Sequence, residues 1–478
     1  MQIREYTQYD ALGLAELVSK GEVSAAELVQ CATALIDELN PSLNAVLSKV
    51  EDQGYGAEQP FSGVPFLVKE LVLQAKGAPS RAGCRATPAE PSQTDSNLMA
   101  RFRQAGLHLV GTTQSPEMGY NATTETVAFG PVHNPWKAGH SAGGSSGGSG
   151  AAVAAGIVPI AHANDGGGSI RVPASCNGLV GLKPTRDRIP LGPGSSDALF
   201  SQAIEFAVSR SVRDSAALLD CVAGPDLGAA HIIQSPSQSF ASSAAQAPGP
   251  LTIGVIEGSL LGAQVGVHQE NKLAVQNTSK LCESLGHNLK VINYRLDFEE
   301  FAQHINVLWC VFAAQFVEQV SQIPGVEANN DFFEAVTLTC AEFGFQSSAL
   351  DVLNALDYVN RISRETAVVF QDIDCLMSCT LATPPPVHGT LNQNDPEIGA
   401  MEWTRNTFAY ATNTPLFNAT GQPAISLPLH WSVDNLPVGV QFAGHMGAEG
   451  TLLSLASQLE EASDWQTKQQ SLIAENLN

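Results

Sequence analysis

Positive charge is scarce in this sequence: 24 Lys+Arg stand against 47 Asp+Glu, a formal net charge of −23 over 478 residues. So acidic a chain lacks the basic surface that displaces counterions from phosphate, which excludes nonspecific nucleic-acid binding and a polybasic membrane patch. Charge of either sign is sparse as well, at 15% of residues, while 44% are hydrophobic. That balance excludes a disordered or fibrous chain. No apolar run approaches the ~18 residues that suggest a bilayer span, and Met1 to Tyr6 lacks the basic-then-apolar pattern of a signal peptide. The nine cysteines are odd in number. Cys375 and Cys379 lie close together, but no second close pair or His pair completes a zinc site. The expectation is a cytoplasmic protein with reduced, mostly buried thiols and no bound metal.

Apolar content and glycine are plentiful. Short apolar runs predict strands at 64–68, 107–111, 157–161, 251–255, 424–428 and 438–442. Helical spacing predicts helices at 96–104, 151–155, 212–222, 270–285, 353–369 and 450–460. A further helix is expected behind the capping box Ser24-Ala25-Ala26-Glu27. Strands and helices alternate along the whole length, so the fold class is α/β, with a large sheet. No repeats or heptads occur. Ser235 to Pro250 reads as a surface connection, and Thr383 to Ile398, with three consecutive prolines, as a loop bordering a pocket.

Chemistry concentrates between residues 139 and 185. Two glycine-rich turns, Gly143 to Gly150 and Gly166 to Gly168, each present a serine across a helix–strand unit. Glycine at this density lets backbone approach a ligand closely and offers consecutive N–H groups as an anion or oxyanion cradle. Three readings compete: flexible turns, a phosphate loop, and a nucleophile elbow. The phosphate loop lacks a Gly-Lys-Ser/Thr ending. Gly143-Gly144-Ser145-Ser146-Gly147 fits the elbow pattern literally, yet Lys137 to Ser141 before it is not strand-like. A third element bears on the choice. Lys69 ends the apolar run Val64-Pro65-Phe66-Leu67-Val68, where burial disfavours an ammonium. Its stem could be buried with the ammonium escaping to solvent; a desolvated, neutral lysine could instead accept a serine proton.

Gly63 to Glu70, Gly143 to Gly150, Asp165 to Ala174 and Gly178 to Thr185 together resemble the amidase signature family. Phe417 to Pro428 and Leu436 to Gln441 resemble its C-terminal half, and residues 10–46 its leading helices. The resemblance implies one domain over 1–478, built on a large central mixed sheet with helices on both faces. Within it, 1–60 would be N-terminal helices, 61–225 the catalytic core, 226–415 a helical substrate-shaping region, and 416–478 a C-terminal sheet and helix. It implies a Ser-cisSer-Lys triad: Ser169 as nucleophile, Ser145 after a cis peptide as proton bridge, and Lys69 as general base. The oxyanion hole would come from the backbone of Gly166, Gly167, Gly168 and Ser169. Ser146, Asp165 and Arg171 would support it, with Lys183 as another structural partner of carboxylates. The family pattern usually has Asp where Glu70 stands and Thr or Ile where Gly166 stands; the extra glycine is expected to loosen the loop or open room for substrate.

The implied activity is hydrolysis of a small carboxamide, an aryl or acyl amide, or an ω-amino-acid amide, through an acyl-enzyme and without cofactor. Thr113 to Glu125 and His133 to Trp136 resemble the stand-alone amidase branch that includes the 6-aminohexanoate cyclic-dimer hydrolase. On that basis Met118, Tyr120 and Cys310 are candidate pocket residues, Cys310 having an ordinary buried thiol as its alternative. Two other readings stand beside this one: an amidotransferase A-type subunit acting on mischarged tRNA, and a non-catalytic binding protein on the same fold. The partner implied is a small amide, with a homodimer open.

Overall fold

The computed structural model describes residues 1–52, 59–195, 197–262 and 264–477. Among these, eleven strands join in one mixed sheet. Its spatial order is Val46–Lys49, His108–Thr113, Pro65–Lys69, Ile160–Asp165, Ile204–Ser209, Val180–Lys183, Ala424–Trp431, Pro437–Gly444, Cys375–Cys379, Thr252–Val255 and Asn288–Val291. The order matters most at one place. Pro65–Lys69 lies parallel to both His108–Thr113 and Ile160–Asp165, so Lys69 and the Asn164-Asp165 pair emerge at the same edge of the sheet. In open α/β sheets the carboxyl ends of parallel strands are where ligands bind. Pro65–Lys69 is buried at every position, as expected of a strand covered on both faces.

Two apolar clusters fill the interior. One packs the N-terminal helices, the helices Asn97–Gln104 and Val212–Val222, and Glu449–Glu461 against the sheet. The other gathers Phe298–Val320, Ala335–Gln346, Ala349–Val369 and Ala400–Tyr410 around Met118 and Tyr120. Ile170 belongs to the first cluster and Val172 to the second, so the loop carrying Ser169 lies where the two meet. Phe298–Val320 and Ala335–Gln346 pack in near-contact of their backbones. A Cβ on Gly344 would come within 2.0 Å of the Cys310 carbonyl oxygen, so no larger residue fits there.

Several elements differ from the sequence expectation. The helix expected at 151–155 spans Gly147–Ala154 and begins inside the glycine run. Glycine is a poor helix former, but close approach decides here: a Cβ on Gly148 would lie 2.5 Å from the Gln114 nitrogen. The next strand is Ile160–Asp165 rather than 157–161. Residues 226–415 are not helical throughout, for they contribute Thr252–Val255, Asn288–Val291 and Cys375–Cys379 to the same sheet. Cys375–Cys379 is uniformly buried, so it carries no alternation by which a strand could be recognised. The helix behind Ser24 runs from Ala25 to Leu43, and its capping box with Glu27 is formed.

Candidate active site

Lys69 closes its strand with a fully buried side chain. Its Nζ lies 2.8 Å from Ser145 Oγ, 3.0 Å from Ser146 Oγ and 2.5 Å from Asn164 Oδ1. Desolvation pulls its pKa down from the usual lysine range to about 7, with Glu205 and Asp165 pulling weakly the other way. A neutral amine has two N–H donors and one lone pair, and its neighbours decide where each points. Asn164 Nδ2 donates to the Leu71 carbonyl at 2.9 Å and to Glu205 Oε1 at 3.1 Å, so its Oδ1 faces the lysine as an acceptor. The Ser146 hydroxyl donates to the Asn164 carbonyl at 3.3 Å, so its Oγ also accepts from Lys69. Both N–H groups of a neutral Lys69 are thereby committed, and the lone pair is left for Ser145 Oγ.

His162 and Glu205 fix this arrangement from behind. The Lys69 backbone N–H donates to His162 Nδ1 at 3.2 Å. His162 Nε2 therefore carries the proton that faces Glu205 Oε2, 2.5 Å away. Ser145 follows a cis peptide bond after Gly144, and Ser146 precedes the helix Gly147–Ala154.

Ser169 lies across the cavity on the turn after Ile160–Asp165, and Asp165 holds that turn. Its carboxylate accepts from the N–H of Gly168 at 2.6 Å and of Ile170 at 3.2 Å, and from Asn418 Nδ2 at 2.9 Å. Arg171 approaches as a fork, Nε to Oδ2 and Nη2 to Oδ1, both at 2.9 Å. Burial pushes the Asp165 carboxyl upward, but Arg171, aided by Lys183 and Asn418, outweighs it and holds the group at about 2. The remaining Arg171 donors reach the Thr414 carbonyl, Gln441 Oε1 and Asn418 Oδ1. Lys183 Nζ donates to the Pro184 carbonyl at 2.9 Å.

This clamp alters the expected oxyanion cradle. The Gly168 N–H is spent on Asp165, whereas the N–H groups of Gly166, Gly167 and Ser169 make no hydrogen bond among the described residues. Gly168 has φ +135°, and a Cβ there would sit 2.2 Å from Thr414 Oγ1, so only glycine fits. The room left at Gly166 is taken by the indole: a Cβ on it would lie 3.3 Å from Trp309 Cη2.

Two small cavities meet at Ser169. One is lined by Leu71, Met118, Ser145, Leu199, Trp309 and Phe312 among others. The second is lined by Tyr120, Gly167, Val172, Trp309, Thr407 and Phe408 among others. Met118 and Tyr120 thus face the site. Cys310 does not. It is fully buried, and its thiol donates to Asn306 Oδ1 at 3.3 Å on the side packed by Ala335–Gln346. One residue away around the helix, Trp309 takes the wall instead, stacked on Tyr120 at 4.3 Å. The 383–398 segment reaches the second cavity indirectly, its Leu391 carbonyl accepting from Asn121 Nδ2 at 3.1 Å.

Sequence reasoning passed over Asn164, His162, Glu205, Trp309 and Asn418. Asn164 adjoins Asp165 in the glycine motif and was legible there. Glu205, Trp309 and Asn418 come from distant elements and carry no local signal.

Replacing Arg171 by methionine leaves Asp165 as a buried, uncompensated charge. The expected loss is roughly 3–5 kcal/mol of stability, read as a lower urea midpoint, with slower turnover as the Ser169 turn loosens. An unchanged midpoint would show that the pair does not hold the turn.

A buried lysine, a serine beside it and a second serine on a glycine-built turn are the groups that a serine hydrolase with lysine in place of histidine would need. Residues 17–453 match the Amidase family model, and the chain belongs to the amidase signature family. It is 34% identical over 480 residues to the 6-aminohexanoate-cyclic-dimer hydrolase of Paenarthrobacter ureafaciens, covering 97% of each chain. Among solved structures, a 6-aminohexanoate cyclic dimer hydrolase complexed with substrate matches at 32% identity and TM-score 0.88, over 98% of this chain and 99% of that one. A bacterial aryl acylamidase matches at 26% identity and TM-score 0.85, over 98% of both chains. The protein is an amidase, and no helix among its described residues is long and apolar enough to cross a membrane.

Proposed function

We propose that this amidase hydrolyses small linear or cyclic amides, aryl amides included, through an acyl-enzyme on Ser169. The observation that carries the reading is the hydrogen-bond set around Lys69, which reserves its lone pair for Ser145. Ser169 Oγ attacks the amide carbon while its proton passes to Ser145, whose own proton passes to Lys69. The carbonyl oxygen becomes an oxyanion facing the N–H groups of Gly166, Gly167 and Ser169. One such donor is worth about 3 kcal/mol of barrier. As the tetrahedral intermediate collapses, the C–N bond breaks and Lys69 returns the proton through Ser145 to the departing amine. Water, deprotonated along the same relay, then releases the acid and restores Ser169.

The two cavities on either side of Ser169 suit an acyl group and an amine of modest size. The family likeness extends over nearly the whole chain, which supports one domain. The same reading has the protein acting in the cytoplasm without added subunits or ATP; a homodimer is compatible with it. The test is to mix the protein with an activated aryl amide, quench at short times and weigh it. An increment equal to the acyl group, mapped to the peptide holding Ser169, is expected. Full turnover with the increment on another residue would overturn the assignment.

A further inference from the structure

The two cavities at Ser169 differ in chemistry and in access to water. Ser145 lines the first and not the second. Asn164, bonded to Lys69, and Glu205, bonded to Asn164, line the first as well. No Asp, Glu, Lys, Arg or His lines the second. Its larger side chains are Tyr120, Val172, Trp309 and Phe408, none more than 6% exposed. Exposure separates the two again. The first cavity reaches solvent at Val72, which is 41% exposed, and at the half-buried Ala198 and Phe312. In the second, only Gly167 of the oxyanion turn is not buried, so the space behind that turn is walled by buried side chains. Trp309 lines both cavities, and stacking on Tyr120 at 4.3 Å holds the indole between them.

An amide under hydrolysis has two unlike halves. The acyl half stays behind as the ester of Ser169. The amine half departs, and its nitrogen must first receive the proton that Ser145 carries. A general acid protonates only what lies within hydrogen-bond reach, so the nitrogen belongs on the Ser145 side of Ser169. Polarity points the same way: an N–H loses less on leaving water for the cavity that holds Asn164 and Glu205, whereas an apolar chain suits the uncharged one. We infer that the first cavity receives the amine and the second the acyl group, so that this amidase is selective for the acyl chain and permissive for the amine. An acyl chain longer than the second cavity runs into buried side chains. An amine longer than the first projects past Val72 into water. This rests on the reading of Ser169 as nucleophile and Ser145 as proton bridge.

The test runs two series of anilides on the wild-type protein. In one, straight-chain acyl groups from acetyl to decanoyl share aniline as the leaving group. In the other, the preferred acyl group is joined to anilines with para-alkyl substituents from methyl to hexyl, whose basicity barely changes. Along the acyl series kcat/KM is expected to peak and then fall by about tenfold for a methylene beyond the optimum, while the amine series stays within about threefold. Phe408→Ala, which enlarges the second cavity, should move the acyl optimum to longer chains and alter the deacylation rate of a given acyl-enzyme. Phe312→Ala, at the mouth of the first, should change the ranking of amines and leave that deacylation rate untouched, because the amine has already gone. The wild-type series decide the matter even where a variant does not fold. A sharp cutoff among amines, or equal tolerance in both series, would overturn the inference, as would a deacylation rate altered by Phe312→Ala. Mass analysis of the acyl adduct tells the two readings apart. Amine selectivity with the adduct on Ser169 would sink the assignment of the cavities alone; an adduct on another residue would sink the nucleophile and the assignment with it.

Discussion

Ser169→Ala is expected to lower kcat/KM by at least about a thousandfold and to abolish the acyl adduct. The size of the effect follows from what is left in the cavities. Besides the Tyr120 phenol, which pairs with Thr404 Oγ1, their lining offers two other hydroxyls, Ser145 and Thr407. Ser145 is bound to Lys69 at 2.8 Å and is needed as the proton bridge, and Thr407 has no base beside it. The oxyanion donors remain in the variant, so a small residual rate over water is expected from electrostatics alone. Ser169 is 8% exposed and Asp165 holds its turn from below, so the missing hydroxyl leaves the fold intact. Progress curves with an aryl amide, corrected for the blank, measure the loss. Retention of a tenth of wild-type activity would place the nucleophile elsewhere.

A comparable loss, again roughly a thousandfold, is expected for Lys69→Met, together with a change in pH dependence. Burial brings Lys69 to about 7, and only its neutral form can accept the Ser145 proton. In the wild type kcat/KM should therefore rise with pH through about 7 and level off above it; the methionine variant should lack that inflection. Stability supplies a second readout with a definite sign. The unfolded lysine titrates near 10.5 and the folded one near 7. Between those values the unfolded chain binds the extra proton, so raising the pH stabilises the folded state. Measured against Lys69→Met, wild-type stability should improve by a few kcal/mol between neutral pH and the unfolded lysine pKa, other titrations cancelling in the difference. A gap that stays constant with pH would mean that Lys69 has an ordinary affinity for protons in the fold.

The chemistry of this protein was more legible in its sequence than its framework was. Lys69, Ser145 and Ser169 sit inside continuous glycine and apolar motifs, because a strand end and two tight turns are specified locally. Strands with marked apolar runs, such as Pro65–Lys69 and Pro437–Gly444, could be placed to within a residue or two. Cys375–Cys379 and Val180–Lys183 are buried throughout like those two, but they could not be placed, since they hold few of the β-branched and aromatic residues that mark a strand. The pocket walls were least legible. Choosing between Trp309 and Cys310 depends on the rotation of one helix, and that helix packs against elements far along the chain, among them Gly344 and Tyr120. The oxyanion turn taught a similar lesson. Four successive N–H groups are visible in the motif, but only the fold reveals that Asp165 takes one of them.

The partners of Arg171 also carry a consequence for how the protein comes into being. Its guanidinium reaches Thr414, Asn418 and Gln441, so the turn bearing the nucleophile is braced by residues translated some 240 to 270 positions after it. A ribosome that has released Lys69, Ser145 and Ser169 has made every group of the proposed relay but not the brace on the Ser169 turn. A fragment ending before the strand Pro437–Gly444 lacks Gln441 and is therefore expected to show little or no turnover, even where its first half folds.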